Sequence, residues 1–325
     1  MINKTTLVIR GPFEGNMLED INKSLEAITP CPLPIVVVSY VTDTDIYKTK
    51  LKSLKFLEGA HFLTVKDVFN PGFFNINRQL HCAQEALKNV HTPYVIMLRN
   101  DQSVNIHIIL ELLSELKPKQ LISVNTFTRK DRLYHPSDMF IAGATADVKE
   151  YFSLPLQEQT HLEGEYEALC WYRKHPECIS LVNAPEQRLF KHYLSLQHWK
   201  LKNTFEDSKK ALHKYIYLVN SWDISLRWSK SRTYGLKGGS IILPHYFRVS
   251  PFQNMPAERV RCWNRHDFYK KPATLKDCYY ILLSRICWFF WPVNESGIEQ
   301  KLRVWRRKQK NRLKQLWHST IKIFR

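Results

Sequence analysis

Apolar residues over the first 125 positions come in short blocks that alternate between two spacings. Leu7-Val-Ile9, Ile35-Val-Val-Val-Ser39, His61-Phe-Leu-Thr64, Tyr94-Val-Ile-Met-Leu98 and Leu121-Ile-Ser-Val124 are strand-length runs, the pattern of strands covered on both faces. Between them, apolar residues recur every three or four positions. Met17, Ile21, Leu25 and Ile28 predict a helix stopped by Pro30, and a charged helix is expected from about Tyr47 to Leu57. Ile76, Leu80, Ala83, Leu87 and Val90 predict the next helix, and Ile106, Ile109, Leu110, Leu113 and Leu116 another, closed by Pro118. Strand alternating with helix implies an α/β protein with a mostly parallel central sheet and right-handed crossovers. Beyond Asn125 the alternation is irregular. Met139-Phe-Ile-Ala-Gly143 reads as a short strand, and Ala184-Pro-Glu-Gln187 as a helix start with Pro in the first turn. Leu189, Phe190, Tyr193 and Leu194 would be that helix's buried face.

Candidate chemistry gathers where this pattern breaks into charge. Asn75 is placed as an N-cap, which puts Asn77, Arg78 and Gln79 in a helix's first turn. The run 94–98 ends at once in Arg99-Asn100-Asp101. Ligands of open α/β sheets bind outside the carboxyl ends of strands, and helix N-termini favour anions. A phosphate-bearing ligand is therefore expected. Arg10 and Gly11, just past the first strand, belong to the same region, as does Asp43 after the second. Asp101 is placed to hold Mg²⁺ or Mn²⁺, with a solvated loop acid as the ordinary alternative. Arg78 offers a forked donor to a diphosphate, against a surface ion pair. Glu186, in a helix's first turn, is a candidate general base that the helix dipole would keep ionised, or simply a helix-capping acid. Ser137 and Asp138 are candidates for holding a polyol acceptor. Glu163, Glu165 and Glu167 read as a solvated helix face, and His245 as a structural histidine.

Composition narrows the partners. The formal charge is +18 from 48 basic and 30 acidic residues, but ten Lys or Arg and no acid fall between Lys301 and Arg325. The excess belongs to the tail, so whole-chain basicity is a poor argument for nucleic acid, and no nucleic-acid partner is expected. Leu302, Trp305, Leu313 and Leu316 share a helical face ringed by basic residues, downstream of Trp288-Phe-Phe-Trp291. Such a helix suits an anionic membrane surface. The apolar stretch from Tyr279 to Trp291 is too short to span a bilayer, and the N-terminus has no long apolar leader, so no signal peptide is expected. The seven cysteines are scattered with no Cys-x-x-Cys, which reads as reduced thiols. Walker, dinucleotide-binding, Gly-x-Ser-x-Gly and His-Glu-x-x-His patterns are absent, which argues against kinases, dehydrogenases, esterases and metalloproteases. The division expected is residues 1–250 as one α/β domain and 251–325 as an aromatic, basic helical extension.

Several of these motifs, in this order, resemble the WavE lipopolysaccharide-synthesis family. They are Leu-Val-Ile-Arg-Gly-Pro (7–12), Val-Val-Val-Ser (36–39), Asn-Ile-Asn-Arg-Gln (75–79) and Tyr-Val-Ile-Met-Leu-Arg-Asn-Asp (94–101), followed by His-Pro-Ser-Asp-Met-Phe-Ile-Ala-Gly (135–143) and Ala-Pro-Glu-Gln (184–187). The likeness covers roughly residues 5 to 250. It implies a bacterial glycosyltransferase with a GT-A-like, Rossmann-type nucleotide-sugar fold, acting on a lipopolysaccharide or other surface-polysaccharide acceptor. On that fold Asp43 would approach the nucleobase or ribose, and Arg10, Gly11, Asn77, Arg78 and Gln79 would lie by the donor. Arg99 and Asp101 would stand where a metal-binding Asp-x-Asp usually stands. Arg99 in place of the first acid leaves two options: a Mg²⁺ or Mn²⁺ site on Asp101, or a metal-independent site in which Arg99 neutralises the diphosphate. Glu186 would be the base, and Ser137 and Asp138 would meet the acceptor. The partners implied are a nucleotide-sugar donor, a lipid-linked saccharide and an anionic membrane, with the protein cytoplasmic and peripheral to the inner membrane. The competing expectation is a non-catalytic polysaccharide-assembly or nucleic-acid-binding protein on the same scaffold.

Overall fold

A computed structural model describes residues 1–11, 33–41, 59–72, 75–130, 132–157, 184–228, 247–248, 259–260 and 262–290. The expected helices at 17–28 and 47–57, Asp43, the Glu163–Glu167 cluster, His245 and the basic tail lie outside the described residues.

The central sheet is built from β1 (Thr5–Arg10), β2 (Ile35–Tyr40), β3 (His61–Val65), β4 (Tyr94–Arg99), β6 (Leu121–Val124), β7 (Ile141–Ala144) and β8 (Ile216–Val219), with a two-residue strand, β5 (Gln102–Ser103), standing apart. Its order is β3-β2-β1-β4-β7-β6-β8. All pairs are parallel except β7, which runs antiparallel to both β4 and β6. The α/β class and the mostly parallel sheet are as the alternation predicts. The reversal at β7 and the closing strand β8 are not in that expectation.

Period-two alternation divides the core into two faces. Val8, Val36, Val38, Val95 and Met97 pack with Ile76, Leu80 and Leu87 of α1 (Ile76–Lys88), with Tyr151 of α3 (Thr145–Tyr151) and Phe152 just after it, and with Leu189 and Phe190 of α4 (Pro185–Leu196). On the other face Leu7, Ile9, Ile96 and Leu98 meet Ile106, Ile109, Leu110 and Leu113 of α2 (Ile106–Leu113). That helix ends at Leu113, short of Pro118, after an N-cap in which Asn105 accepts from the Ile108 N–H at 3.3 Å. The helix α5 (Phe205–Tyr215), capped by Thr204, leads into β8.

The same alternation fixes where the strand ends point. Arg10 is in register with Arg99 across the β1–β4 pair. Each follows residues of the α1/α3/α4 face at a spacing of two, so both arginines emerge on that face.

Residues from 262 onward are tied into the α/β unit. The Trp263 N–H donates to the Thr128 carbonyl at 2.9 Å, and the Tyr269 hydroxyl, at the end of α6 (Arg265–Tyr269), accepts from the Leu218 N–H at 2.9 Å. Asp277 of α7 (Leu275–Phe290) takes hydrogen bonds from Trp222 Nε1 and Asn220 Nδ2, both at 2.9 Å. Phe268 is buried in the first core face. A boundary at 250 therefore does not mark the end of this packing unit, which continues at least to the buried Ser284.

Candidate active site at the carboxyl ends of β1 and β4

Backbone geometry at the two strand ends is fixed first. Gly11 has φ +112, a conformation L side chains rarely adopt. There its N–H reaches the Val38 carbonyl at 3.1 Å and its carbonyl accepts from Asn100 Nδ2 at 2.7 Å. The Asn100 N–H returns to the Arg10 carbonyl at 3.1 Å. The ends of β1 and β4 are thus cross-tied.

Arg10 is buried, with its guanidinium 5.2 Å from the centre of the Phe152 ring. Burial makes its cation less favourable, Asp138 opposes that, and neighbouring Arg99 adds to it. Arg99 itself forms a forked pair with Asp101, Nε to Oδ1 at 3.0 Å and Nη2 to Oδ2 at 2.9 Å. A second donor, Trp228 Nε1, reaches Asp101 Oδ2 at 2.8 Å. Trp228 lies on β9 (Arg227–Trp228), which pairs with β5 just beyond Asp101. Both Asp101 oxygens therefore accept hydrogen bonds, Oδ1 from Arg99 and Oδ2 from Arg99 and Trp228. Among the described residues no cluster of three His, Cys, Asp or Glu side chains is placed to hold a metal ion.

The start of α1 divides the expected donor residues. Asn75 occupies the N-cap position in the left-handed region (φ 61) without a side-chain capping bond. Asn77 turns inward. Its Nδ2 donates to the carbonyls of Asn70 at 3.1 Å and Gln157 at 3.0 Å, and its Oδ1 accepts from the Gln157 N–H at 2.8 Å. Three bonds to backbone make Asn77 a clamp between the 70–72 turn and the 157 segment, which corrects its expected place at the donor. Gly72 leaves room for this: a Cβ there would lie 2.8 Å from Ile76 Cγ2 and 3.0 Å from the Asn77 side chain. Arg78 forms a forked pair with Asp67 (2.8 and 2.6 Å), both side chains over 40% exposed. This is the surface-pair alternative. Gln79 points to the interior of the site, its Nε2 donating to Asp138 Oδ2 at 2.6 Å.

Opposite these strand ends, the segment 133–138 is pinned by the sheet. The Arg129 N–H donates to the His135 carbonyl at 3.0 Å, Ser123 Oγ to the Ser137 carbonyl at 2.8 Å, and the Ser137 N–H to Thr128 Oγ1 at 2.9 Å. Ser137 is fully buried and its Oγ accepts from the Met139 N–H, so it holds the turn and does not face an acceptor. Gln187 then joins this segment to α4. Its Oε1 accepts from the Ala184 N–H at 3.1 Å and its Nε2 donates to the Leu133 carbonyl at 2.8 Å. That bridge sets Glu186, one residue earlier, against His135 and Asp138.

Glu186 Oε2 lies 3.8 Å from His135 Nε2. The helix dipole favours an ionised carboxylate here, yet Glu186 is pushed up to about 8, by burial first and then by the charge of Asp138, against the pull of Arg132 and Arg129. Desolvation and a like charge outweigh the dipole, which corrects the expectation of an ionised Glu186. His135 is held neutral by burial and by Arg129 and Arg132. Burial first, then Asp138 and Glu186, push the Tyr151 hydroxyl at the end of α3 up, against the pull of Arg10.

Arg10, Gln79, Asp138 and Glu186, all expected from sequence, thus converge with His135 and Tyr151, which were not singled out. Gly11, Arg99 and Asp101 form the adjoining strand-end wall. Asn77 and Ser137 bind backbone, and Arg78 pairs with Asp67 at the surface.

Arginines at the carboxyl ends of parallel strands and a helix-borne carboxyl beside them, on a mostly parallel seven-stranded sheet, define a Rossmann-type α/β fold. A model of the WavE lipopolysaccharide synthesis family matches residues 59–223, just over half of the 325-residue chain, and the chain belongs to that family. No curated protein matches the chain. Solved structures with a likeness include a mannose-1-phosphate geranyltransferase from Thermus thermophilus (14% identity, 68% of this chain and 74% of that one, TM-score 0.34). Another is the glycosyltransferase GlyE of Streptococcus pneumoniae (10% identity, 63% and 46%, TM-score 0.32). Scores at this level carry no argument, and the strand order stands as the description of the fold. No helix among the described residues is long and apolar enough to cross a membrane.

Proposed function

We propose that this protein is a GT-A-like glycosyltransferase that moves a sugar from a nucleotide-sugar donor to a hydroxyl of a lipopolysaccharide acceptor. The observation that carries the reading is the placement of Glu186. A helix-borne carboxyl, mostly buried, lies by Asp138, which in turn acts on Arg10 at the end of β1, in a member of a lipopolysaccharide-synthesis family.

The chemistry needs two things. An acceptor hydroxyl must lose its proton as its oxygen attacks the anomeric carbon, and the nucleoside diphosphate must leave with its negative charge met. Glu186 takes the proton in its ionised form, the minority form at neutral pH for a group pushed up to about 8. Arg99, half-exposed at the strand end, meets the diphosphate. Its forked pairing with Asp101 fixes the direction of the guanidinium. Asp101 is then an orienting anion, and Arg99 supplies the positive charge at the diphosphate. Arg78 stands at the rim, able to exchange Asp67 for a phosphate. Asp43 by the nucleobase, a lipid-linked acceptor, and a basic tail that holds the protein on the cytoplasmic face of the inner membrane complete the proposal.

The test is turnover of a panel of UDP-, GDP-, CMP- and dTDP-sugars with delipidated core oligosaccharide. Glu186→Gln should lower kcat by about a hundredfold or more, in line with loss of a general base. Wild-type protein inert toward every donor would favour the non-catalytic reading.

A further inference from the structure

Four buried side-chain nitrogen or oxygen atoms among the described residues make no hydrogen bond, and three of them belong to residues near Asp138 or Glu186. They are Arg10 Nε, His135 Nδ1 and the Tyr151 hydroxyl. Native interiors leave few such groups unmatched, because each carries a desolvation penalty. Arg10 Nε and the Tyr151 hydroxyl, both in residues acted on by Asp138, call for a common partner.

The chemistry of that partner follows from the groups. Arg10 Nε–H only donates, the tyrosine hydroxyl donates or accepts, the neutral imidazole Nδ1 does either according to tautomer, and the Asp138 carboxylate accepts. An anion would meet Asp138, and a cation would meet Arg10. A neutral ligand with several adjacent hydroxyls satisfies both signs at once. The Phe152 ring, already under the Arg10 guanidinium and edge-on to Tyr151 with centroids 5.1 Å apart, adds an apolar floor. All three atoms are closed to solvent, so a ligand reaches them by displacing neighbouring side chains.

We infer that Arg10, Tyr151 and Asp138, with His135 behind Glu186, form a sugar-hydroxyl subsite, in which the Tyr151 hydroxyl and Arg10 Nε–H bond directly to the saccharide. This rests on the glycosyltransferase reading and deepens it by assigning Tyr151, a buried residue of α3, to substrate specificity. The hydroxyls could belong to the donor's sugar or to the acceptor saccharide, and the experiment separates the two.

Tyr151→Phe removes one oxygen and no hydrogen bond of the fold. Calorimetric titrations of wild type and Tyr151→Phe would use UDP, UDP-glucose, UDP-galactose and delipidated core oligosaccharide. The expected result is a thermal midpoint equal to or above wild type, unchanged UDP affinity, and about tenfold weaker binding of the saccharide-bearing ligand, the size of one hydrogen bond. Weakening confined to UDP-sugars assigns the subsite to the donor; weakening confined to the oligosaccharide assigns it to the acceptor. Arg10→Lys keeps a cation over Phe152 while losing Nε–H, and should weaken the same ligand. Equal affinities in wild type and both variants would overturn the subsite while leaving the glycosyltransferase reading intact if Glu186→Gln still abolishes turnover. A wild type that binds none of the four ligands would overturn the subsite, and that reading would then rest on the wider donor panel.

Discussion

Replacing Glu186 by Gln should stabilise the protein, and by an amount that grows with pH. The wild-type carboxyl titrates near 8 in the folded protein instead of near 4.5, because burial and Asp138 disfavour its charge. Below about pH 4.5 it is protonated whether folded or unfolded and costs nothing. Between about 4.5 and 8 the folded state holds a proton that the unfolded state releases, so stability falls as pH rises, and above 8 the loss is complete. The gap between 4.5 and about 8 corresponds to roughly 5 kcal/mol at ~1.4 kcal/mol per pH unit. Relaxation of the pocket around the ionised group makes this an upper bound, and roughly 2–5 kcal/mol is expected. Gln keeps the size and polarity of the protonated acid and cannot ionise. His135, neutral in the fold and protonated on unfolding in acid, is present in both proteins and cancels. Urea unfolding of both proteins from pH 5 to 9 measures the difference. The variant should match wild type within about 1 kcal/mol near pH 5 and exceed it increasingly up to pH 9. Parallel stability curves across that range would refute the view that Glu186 is held near 8 by its surroundings.

Other substitutions separate clamps from contacts. Asn77→Ala should cost roughly 2–4 kcal/mol, read as a lower urea midpoint, because it leaves the Gln157 N–H and the carbonyls of Asn70 and Gln157 without these partners. Arg78→Ala breaks an exposed pair with Asp67 and an exposed 3.3 Å bond to Asn75 Oδ1 and should change stability by less than about 1 kcal/mol, so any fall in turnover would report contact with the donor. Asp101→Asn should leave Arg99 poorly oriented and lower kcat about tenfold or more, measured at saturating donor. Turnover by wild type should survive EDTA if the Arg99 guanidinium, aimed by Asp101, meets the diphosphate charge; abolition restored by Mn²⁺ would show that a cation takes that role.

Sequence revealed the five sheet strands up to Val124 because each is a short apolar run, and the helices at 76–88 and 106–113 because each is an independent 3.6-residue pattern. It did not reveal β8, although Ile216-Tyr-Leu-Val219 has strand character, because its partner β6 lies almost a hundred residues earlier. Nor does any local signal reverse β7, whose direction is set by the neighbours that it joins. The site was legible where chemistry sits at a strand or helix end, as with Arg10, Arg99, Asp101 and Glu186. It was not legible at Tyr151, which in sequence is one more aromatic on an amphipathic helix, nor at His135, which reads as part of a turn. Asn77, Arg78 and Gln79 are consecutive in one helical turn and meet an interior backbone, the surface and the site respectively. A motif names the turn, but the packing around it decides which of the three faces the ligand.

The pH dependence of sugar transfer by wild type and by Asp138→Asn tests the central claim most directly. Single-turnover rates with a productive nucleotide sugar should rise with pH to a plateau above about 8 in wild type, following ionisation of Glu186. Removing the Asp138 charge should move that rise to lower pH, while Glu186→Gln should have no rise and almost no rate. Transfer by Glu186→Gln at the wild-type rate, with the wild-type pH profile, would contradict the assignment of Glu186 as the base.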